Sequence, residues 1–414
     1  MNNTKRTAGI SVARILLLSL PYAWISVFNS VLDNGLPVIL TAPVSDGGLA
    51  MSFTAKGVVM ALDNILGLIL MPVFGKLSDN SKSKHGKRTP FILAGGIGAL
   101  ISWVLTGYFL GMSSKWMFLI LLSSGLTFIA LSRPASLALL PDFTPLSERR
   151  RANAITQIVS IVCTVVGIGL ISLLTPAGYH YLFYGTSAVM LMLVILYIVF
   201  VRESKWTSHT AVKPEQEYNK NKLPEQSRYN SVILLITVFF FYIAYNGLVS
   251  SLSNYATEVL HLSKQKFVIP QAVTLLMAVA FAVPVAKLSN RLKRRTTILA
   301  GMALMLAAFV TAGFQKGLNA LMFISFAVVG AGFSAVIVNL YPCMLEFSDP
   351  EKTGSSTAIF NTVMTVAMVL TPIASGALAD RFGMKSLFPY CIAALSLAFV
   401  SLLFIREQNK KEEV

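Results

Sequence analysis

The sequence has few charged residues for its length. Only 13% of its 414 residues are Asp, Glu, Lys or Arg, against about a quarter in an ordinary soluble domain. Hydrophobic residues make up 55% of the chain, and the mean hydropathy is +0.69. Such a chain cannot bury this much apolar surface in a core and still present a hydrated exterior. The composition therefore excludes an ordinary soluble globular protein and predicts one that is surrounded by lipid.

Cysteine and histidine are also scarce, with 3 and 4 residues. Cys163, Cys343 and Cys391 lie in apolar stretches without the paired spacing of a metal or redox site, and we interpret them as small hydrophobic residues. A Walker phosphate-binding motif is missing, since residues 86–88 (GKR) lack its spacing and its hydroxyl neighbour. These absences predict no cofactor, no metal site and no enzyme activity.

Acidic residues are fewer than basic ones, 18 against 34, which gives a formal net charge of +16. Proteins that bind nucleic acid gather such an excess on one face of a soluble fold. Here the basic residues lie in short loops between apolar segments of membrane length. The pattern therefore favours a membrane protein that binds no nucleic acid.

About twelve apolar segments are long enough to cross a bilayer, because a spanning helix needs roughly 20 mostly apolar residues. Their predicted ranges are 13–40, 52–76, 89–111, 116–140, 152–174, 181–201, 231–257, 267–287, 296–314, 318–345, 354–378 and 385–405. We therefore predict an all-α membrane protein with an N-terminal six-helix bundle (1–201), a cytoplasmic linker (202–230), and a C-terminal six-helix bundle with a short cytoplasmic tail (231–414).

One half of the chain resembles a diverged copy of the other. Three blocks recur at a nearly constant offset: 75–79 (GKLSD) with 286–290 (AKLSN), 92–95 (ILAG) with 298–301 (ILAG), and 140–144 (LPDFT) with 344–348 (MLEFS). Internal duplication with basic loops between apolar segments is typical of a transporter built from two similar bundles. We expect a pseudo-two-fold axis along the membrane normal to relate the bundles.

The distribution of charge in the loops predicts the orientation. With both termini in the cytoplasm, most of the 34 Lys and Arg residues lie on the inner side. The basic clusters of that side lie within residues 5–14, 76–88, 149–151, the central linker, 287–295 and 406–411. We therefore predict a multi-pass protein of the cell membrane, which is monomeric and has both termini in the cytoplasm.

Polar side chains form a stripe along the first span. Tyr22, Ser26, Asn29 and Asp33 stand at i, i+4, i+7 and i+11, and so share one face of a helix. Hydroxyls, an amide and an aromatic ring suit a sugar, and such groups are costly against hydrocarbon. We predict that the first three bind substrate and that Asp33 couples to protons. Solvation of Asp33 at the outer interface is the alternative, and Trp24, on the opposite side, is interpreted as packing.

Two further ionisable residues lie within spans of the first half. Asp63 is the only acidic residue within predicted span two, and intramembrane carboxyl groups commonly relay protons, so we predict it as the first proton-coupling residue. The alternative is a structural carboxylate held by Arg133 or Lys56. Arg133 is predicted to bind substrate, because a guanidinium offers fork-like donors to a sugar diol; a structural ion pair is the alternative.

The second half supplies further candidates for substrate binding on spans seven, ten and eleven. They are Tyr242, Asn246, Asn339, Tyr341 and Asn361. The alternative for each is an interhelical hydrogen bond that only holds the bundle together.

Charged residues also lie at the predicted cytoplasmic ends of helices. They are Asp79, Lys87, Arg88, Asp142, Arg150 and Glu346. We predict a cytoplasmic gate, in which these charges close the inner side and separate as the two halves rock.

The loop after span two carries a family resemblance. Residues 79–92 (DNSKSKHGKRTPFI) are longer than the usual motif of the major facilitator superfamily and end in glycine, two basic residues, any residue, proline and an aromatic residue. This form resembles the glycoside–pentoside–hexuronide:cation symporters and the related proton-coupled sucrose transporters, and residues 133–142, 245–246 and 339–342 resemble the sucrose-type branch. The resemblance implies the major facilitator fold and symport of a glycoside, a di- or oligosaccharide, with a proton by alternating access.

The sequence departs from that family at positions that bear on coupling. Sodium-dependent members carry two acidic residues on span two, where this chain has Gly67 and Met71 when aligned on Pro72, which favours a proton. Related bacterial proteins often carry a glutamate where this chain has Val249, and its absence weakens the case for symport. Two alternatives stay open: a proton-driven exporter of drugs or amphipathic lipids on the same fold, and a transport-incompetent membrane sensor.

Overall fold

In a computed structural model of the chain, the structure describes residues 10–206, 225–289, 291–348 and 353–405. Every regular element in these ranges is a helix, and 12 of the helical segments are long and apolar enough to cross a membrane. The predicted fold class and number of spans are confirmed. Residues 207–224 of the predicted linker, Asn290 of the repeat, and the basic residues 5–6 and 406–411 lie outside the described residues.

We number the helices in chain order, and each span after the first corresponds to one long helix. The helices are α1 (Val12–Leu18), α2 (Leu20–Asn34), α3 (Leu36–Thr41), α4 (Phe53–Asp79), α5 (Thr89–Gly111), α6 (Lys115–Phe143), α7 (Arg149–Leu174), α8 (Tyr179–Phe200), α9 (Glu225–Glu258), α10 (Ile269–Ser289), α11 (Arg294–Gly313), α12 (Ala320–Glu346), α13 (Thr353–Phe382) and α14 (Leu387–Leu403).

The first span differs from the single helix predicted over residues 13–40. It consists of α1, α2 and α3, which are separated at Ser19 and Gly35. Each break comes two residues before a proline, Pro21 or Pro37, whose nitrogen has no hydrogen to donate to the preceding turn. The polar stripe therefore lies on a separate helix of 15 residues.

The chain folds into two compact units. The first comprises Met1–Gly35, Pro43–Leu49 and Ile65–Pro214, and the second comprises Leu36–Ala42, Ala50–Asn64 and Glu215–Val414. The α3 helix and the first part of α4 therefore belong to the second unit, together with the helices from α9 onwards.

Four pairs of neighbouring helices in the first unit recur in the second. In the first unit α2 packs on α7 and α8, and α5 packs on α6 and α8. In the second unit α9 packs on α13 and α14, and α11 packs on α12 and α14. These pairs correspond one to one in the order of the spans, which is the packing that a duplicated bundle predicts.

The repeated ILAG blocks have the same structural role in both units. A Cβ atom on Gly95 would lie 2.5 Å from the carbonyl oxygen of Phe128, and one on Gly301 would lie 2.7 Å from that of Gly332. In each unit the glycine therefore allows the third helix of the repeat to approach the backbone of the fourth. The sequence repeat is thus also a repeat of close helix contacts.

Candidate functional site

The polar stripe is the accessible face of α2. Apart from Leu20, the residues of α2 that are not fully buried are Tyr22, Ser26, Asn29 and Asp33. Polar groups exposed along a span must face protein or water rather than hydrocarbon, because the cost of burying them in lipid is high. The pattern predicted from the sequence is therefore also the pattern of exposure.

Aromatic packing holds the opposite side of α2 in place. Trp24 is fully buried, and its ring lies 5.7 Å from that of Tyr197 in an edge-on arrangement. Phe28 packs 4.1 Å from Trp103, which in turn packs 4.9 Å from Phe183. These large side chains fix the rotation of α2 and so fix the direction of its polar stripe.

Arg133 of α6 contacts the stripe directly. Its Nη2 atom donates a hydrogen bond of 3.3 Å to Oδ1 of Asn29. The Asn29 amide oxygen is thereby oriented towards a cation. Asn29 and Arg133, which the sequence predicted separately, thus form one polar centre in the first unit.

A proline in α6 explains a second contact of the stripe. Pro141 cannot donate to the carbonyl of Leu137, one turn earlier. That carbonyl instead accepts a hydrogen bond of 3.4 Å from the Tyr22 hydroxyl. In transmembrane helices, side chains of neighbouring helices commonly satisfy backbone groups that a proline leaves free.

The same arrangement occurs in the second unit. Pro372 of α13 leaves the carbonyl of Met368 without its helical donor. Asn246 of α9 donates to this carbonyl from Nδ2 at 3.0 Å, and its side chain is half-buried. Asn246 therefore supports α13 with its amino group.

The other candidates in the second unit differ in exposure. Asn339 is buried and donates to the carbonyl of Ala335 in its own helix at 2.9 Å, which fits the structural alternative. Tyr242 is also buried. Tyr341 bonds to the Thr357 hydroxyl at 2.8 Å, whereas the side chain of Asn361 is exposed.

An aromatic stack adjoins Asn246, and its residues were not predicted as part of the site. The rings of Tyr245 and Phe333 are stacked 3.9 Å apart, and Phe241 lies about parallel to both at 6.3 and 6.2 Å. The spacing of Phe241 and Tyr245, one helical turn apart, was the available signal. Stacked rings of this kind suit the apolar face of a sugar.

The two candidate proton-coupling residues lie in different units. Asp33 is near the end of α2 in the first unit, and Asp63 is in the part of α4 that belongs to the second unit. Both side chains are partly exposed, and both take part in polar or charged interactions. Each carboxyl group is therefore partly accessible from the protein surface.

Four of the predicted gate residues form a cluster in the first unit. Arg88 binds Asp79 through Nη1 at 2.6 Å and Asp142 through Nε at 2.9 Å, and Lys87 lies 3.8 Å from Asp79. Burial alone would lower the pKa of Arg88, but the hydrogen bonds and charges of Asp142 and Asp79 raise it above its ordinary value. The guanidinium therefore keeps its charge between the ends of α4 and α6.

Glu203 completes this cluster and was not predicted as a site residue. Its buried carboxylate accepts hydrogen bonds from the backbone nitrogen of Arg88 at 2.9 Å and from that of Thr89 at 2.7 Å. An anion is favoured there because the first N–H groups of a helix lack partners. Gly86, with a φ of +114°, lets the loop pass next to Glu203.

The second unit contains a counterpart of the Arg88–Asp142 pair. Arg294 lies 3.1 Å from Glu346. In the repeat alignment Glu346 corresponds to Asp142, and Arg294 precedes its ILAG block by the same spacing as Arg88. A basic residue at the start of the third helix and an acid at the end of the fourth thus recur in both units.

Arg150 is placed differently from the other predicted gate residues. Its side chain is exposed, and no hydrogen bond or ion pair joins it to another residue in the described part of the chain. Its neighbour Arg149 donates instead to the carbonyl of Pro141 at 3.0 Å. That carbonyl lies in the last turn of α6, whose final carbonyl groups have no donor within the helix.

The chemistry available in these groups is binding and proton exchange. Among the residues that the structure describes, no group of three or more His, Cys, Asp or Glu side chains could hold a metal ion. Amides, hydroxyls, a guanidinium and half-exposed carboxyl groups can bind a polar solute and exchange a proton.

Comparison with known proteins identifies the family. The family model of the Major Facilitator Superfamily matches residues 22–372 and 234–414. The chain belongs to this superfamily. The superfamily predicted from the loop after span two is therefore confirmed, and the protein is an integral, multi-pass membrane protein of the secondary transporter class.

Individual relatives are distant. The tetracycline resistance protein, class H, of Pasteurella multocida is 27% identical over 206 residues, which are 50% of this chain and 46% of that protein. The chain thus spans about half the length of that curated relative. A peptide transporter POT, solved with sulfate, has a TM-score of 0.74 at 13% identity and covers 94% of this chain and 93% of its own.

A second solved structure agrees on the fold. A bacterial homolog of the human lysosomal transporter Spinster, in an inward-facing and occupied conformation, has a TM-score of 0.67 at 13% identity. It covers 95% of this chain and 94% of its own. Likeness at this identity establishes the major facilitator fold of the superfamily member described here, and the substrate must be argued from its own residues.

Proposed function

We propose that this superfamily member takes up a glycoside, a di- or oligosaccharide, together with a proton by alternating access. The observation that carries the proposal is the accessible face of α2, where Tyr22, Ser26 and Asn29 are partly exposed while the opposite face of the helix is buried. Sugar sites combine hydroxyl and amide partners with an aromatic ring. The hydrogen bond from Arg133 to Asn29 adds a charged donor to the same face.

Proton coupling is proposed from the carboxyl groups of the spans. Asp63 is the first candidate and Asp33 the second, because each is a partly exposed carboxyl group on a membrane helix. The positions of the sodium-type acids are Gly67 and Met71. A proton is therefore the proposed coupling ion.

The substrate class is tested by uptake into proteoliposomes. A panel of mono-, di- and oligosaccharides is offered with an inward proton gradient, and we expect one glycoside to accumulate and protons to enter with it. Accumulation should vanish when the gradient is collapsed and should not respond to sodium. Sodium-stimulated uptake that is independent of pH would refute proton coupling.

The coupling residue is tested with Asp63→Asn. The neutral side chain can still allow sugar binding, but it cannot lose the proton whose release drives the cycle. We expect uphill accumulation to disappear while exchange and downhill flux remain. Asp46→Asn, at an exposed acid outside the spans, is the matched control and should behave as the wild type. Full uphill transport by Asp63→Asn would reject this residue, and an uncoupled Asp33→Asn would move the assignment.

A second candidate function is the proton-driven export of drugs, and the tetracycline resistance relative favours it. Expression of the chain in a drug-sensitive host would then raise tolerance to tetracycline, and inverted vesicles would accumulate the drug when their lumen is acidic. Sugar-dependent proton entry without a change in drug tolerance would leave the glycoside symporter as the function.

A further inference from the structure

Lys56 is a fully buried lysine that the proposed function does not use. It lies in the first turn of α4, and its side chain is 0% exposed. Its Nζ atom donates to three acceptors on α9: the Ser250 carbonyl at 3.2 Å, Ser251 Oγ at 3.1 Å and Asn254 Oδ1 at 3.4 Å. We call these three acceptors the Lys56 cage.

The cage is held in place by its own hydrogen bonds. Asn254 donates from Nδ2 to the Thr41 hydroxyl at 2.7 Å and to the Pro37 carbonyl at 3.1 Å, both on α3. Its amide oxygen therefore has to point the other way, towards Lys56. Ser250, Ser251 and Asn254 are all buried, so the cage is closed to water when α3 and residues 50–64 pack against α9.

No carboxylate of the described residues forms an ion pair with Lys56 in the cage. The carboxylates whose charge reaches it are the exposed Glu258 of α9 and Asp380 of α13, and Asp63 lies two turns further along α4. Asp380 already accepts hydrogen bonds from the backbone nitrogens of Phe53 and Thr54 at 2.7 and 2.8 Å.

The hydrogen-bond lengths in the cage suit a neutral amine better than an ammonium ion. Charge-assisted N–H···O bonds are about 2.7–2.9 Å long, and those of Lys56 are 3.1 to 3.4 Å. Burying an ammonium without a paired charge is costly. The nearest aromatic ring, that of Phe53, is 5.8 Å from Nζ, which is near the outer limit for a cation–π contact.

We propose that Lys56 is a proton-exchange site, which loses a proton when residues 50–64 pack against α9 and regains it when they separate. On packing, one N–H bond of the ammonium breaks, its electron pair stays on Nζ, and the proton passes to water. Residues 50–64 continue through α4 into residues 65–79, which belong to the first unit. Rocking of one bundle against the other in each transport cycle can therefore draw residues 50–64 away from α9. The inference goes beyond the proposed function, because it requires neither a sugar nor proton coupling at Asp63.

The experiment measures how pH controls access to the cage in the purified full-length protein in detergent. Cys163, Cys343 and Cys391 are replaced by alanine, and Ser250→Cys supplies a buried reporter that leaves the Ser250 carbonyl in place. The rate of its reaction with a hydrophilic maleimide is divided by the rate of a separate Ser147→Cys variant, whose site is exposed. This ratio removes the titration of the thiol itself.

We expect the ratio to rise as the pH falls from about 10, because the separated state binds the additional proton and is favoured where protons are abundant. One proton changes the opening equilibrium by at most about tenfold per pH unit. Lys56→Met, which cannot bind a proton, should give a low ratio that is independent of pH. Lys56→Arg, which always carries a charge, should give a high ratio at every pH.

Two results would overturn the proposal. One is a ratio that does not change with pH in the wild-type background. The other is an unchanged pH profile in Lys56→Met, and loss of that profile in Glu258→Gln would then assign the proton to Glu258. If Lys56→Arg fails to fold, the comparison of Lys56→Met with the wild type still decides between a proton-exchange site and a permanently charged contact.

Discussion

The duplicated ion pair allows one substitution to be made twice within the same protein. Arg88→Met removes the partner of Asp142 in the first unit, and Arg294→Met removes the partner of Glu346 in the second. The two arginines occupy equivalent positions of the repeat and differ in burial and in the number of their partners. Any difference in their effects therefore measures what burial and the additional partners of Arg88 contribute together.

The structure predicts unequal effects. The Arg88 side chain is 6% exposed and binds two carboxylates, whereas the Arg294 side chain is 40% exposed and its partner Glu346 is 52% exposed. Hydrogen bonds to charged groups contribute about 1.5–3 kcal/mol when they are protected from water, and exposed pairs contribute about 0.2–1 kcal/mol. We expect Arg88→Met to cost about 2 kcal/mol and Arg294→Met about 0.5 kcal/mol.

Thermal unfolding in detergent, followed by the fluorescence of a thiol- or environment-sensitive dye, tests this difference. For a unit of roughly 200 residues, 1 kcal/mol corresponds to about 2–4 °C in Tm, so Arg88→Met should lower Tm by about 4–8 °C and Arg294→Met by about 2 °C or less. Double-mutant cycles with Asp142→Asn and Glu346→Gln isolate each pair. Equal losses, or no coupling between Arg88 and Asp142, would refute the reasoning.

Two further predictions concern the close helix contacts and the asparagines of the spans. Gly95→Ala and Gly301→Ala should each destabilise the protein by about 1–3 kcal/mol, because the added Cβ atom meets a backbone oxygen at 2.5 or 2.7 Å. Gly169→Ala is the control, because a Cβ atom there would have no other atom within 4 Å. It should leave Tm unchanged or raise it. Asn29→Ala should raise the KM for the transported solute about tenfold or more with little change in Tm. Asn339 is a buried asparagine that bonds to its own helix, so Asn339→Ala should lower Tm and leave KM unchanged. An unchanged KM in Asn29→Ala would remove this residue from the substrate site.

The fold could be predicted from the sequence because its signals are local and additive. Length and hydropathy determine each span, and the duplicated blocks identify equivalent positions in the two halves. The breaks in the first span were also encoded locally, at Pro21 and Pro37, but a hydropathy window averages over them. The prediction of a single helix over residues 13–40 was incomplete for that reason.

The polar contacts could not be predicted in the same way, because they depend on residues far apart in the chain. Glu203 lies in a polar stretch that resembles a linker, and its partners Arg88 and Thr89 are 115 and 114 residues away. Asn29 and Asn339 look equivalent in the sequence, as asparagines within apolar spans. Only their burial and partners separate an accessible residue from one that bonds its own helix.

Prolines within the spans limit which polar side chains are available to bind a substrate. Pro141 and Pro372 each free a carbonyl group one turn earlier, and a polar side chain of another helix satisfies it: Tyr22 at Leu137 and Asn246 at Met368. A free carbonyl in hydrocarbon is costly, so these two side chains would be required even in a bundle that bound nothing. The Tyr22 hydrogen bond, at 3.4 Å, is longer than that of Asn246, at 3.0 Å, so Tyr22 keeps more freedom to bind a solute. Among the residues that the structure describes, Ser26 and Asn29 in the first unit and the exposed Asn361 in the second satisfy no such carbonyl, and Arg133 donates to Asn29. Specificity should therefore depend on these residues more than on the remaining polar positions of the spans.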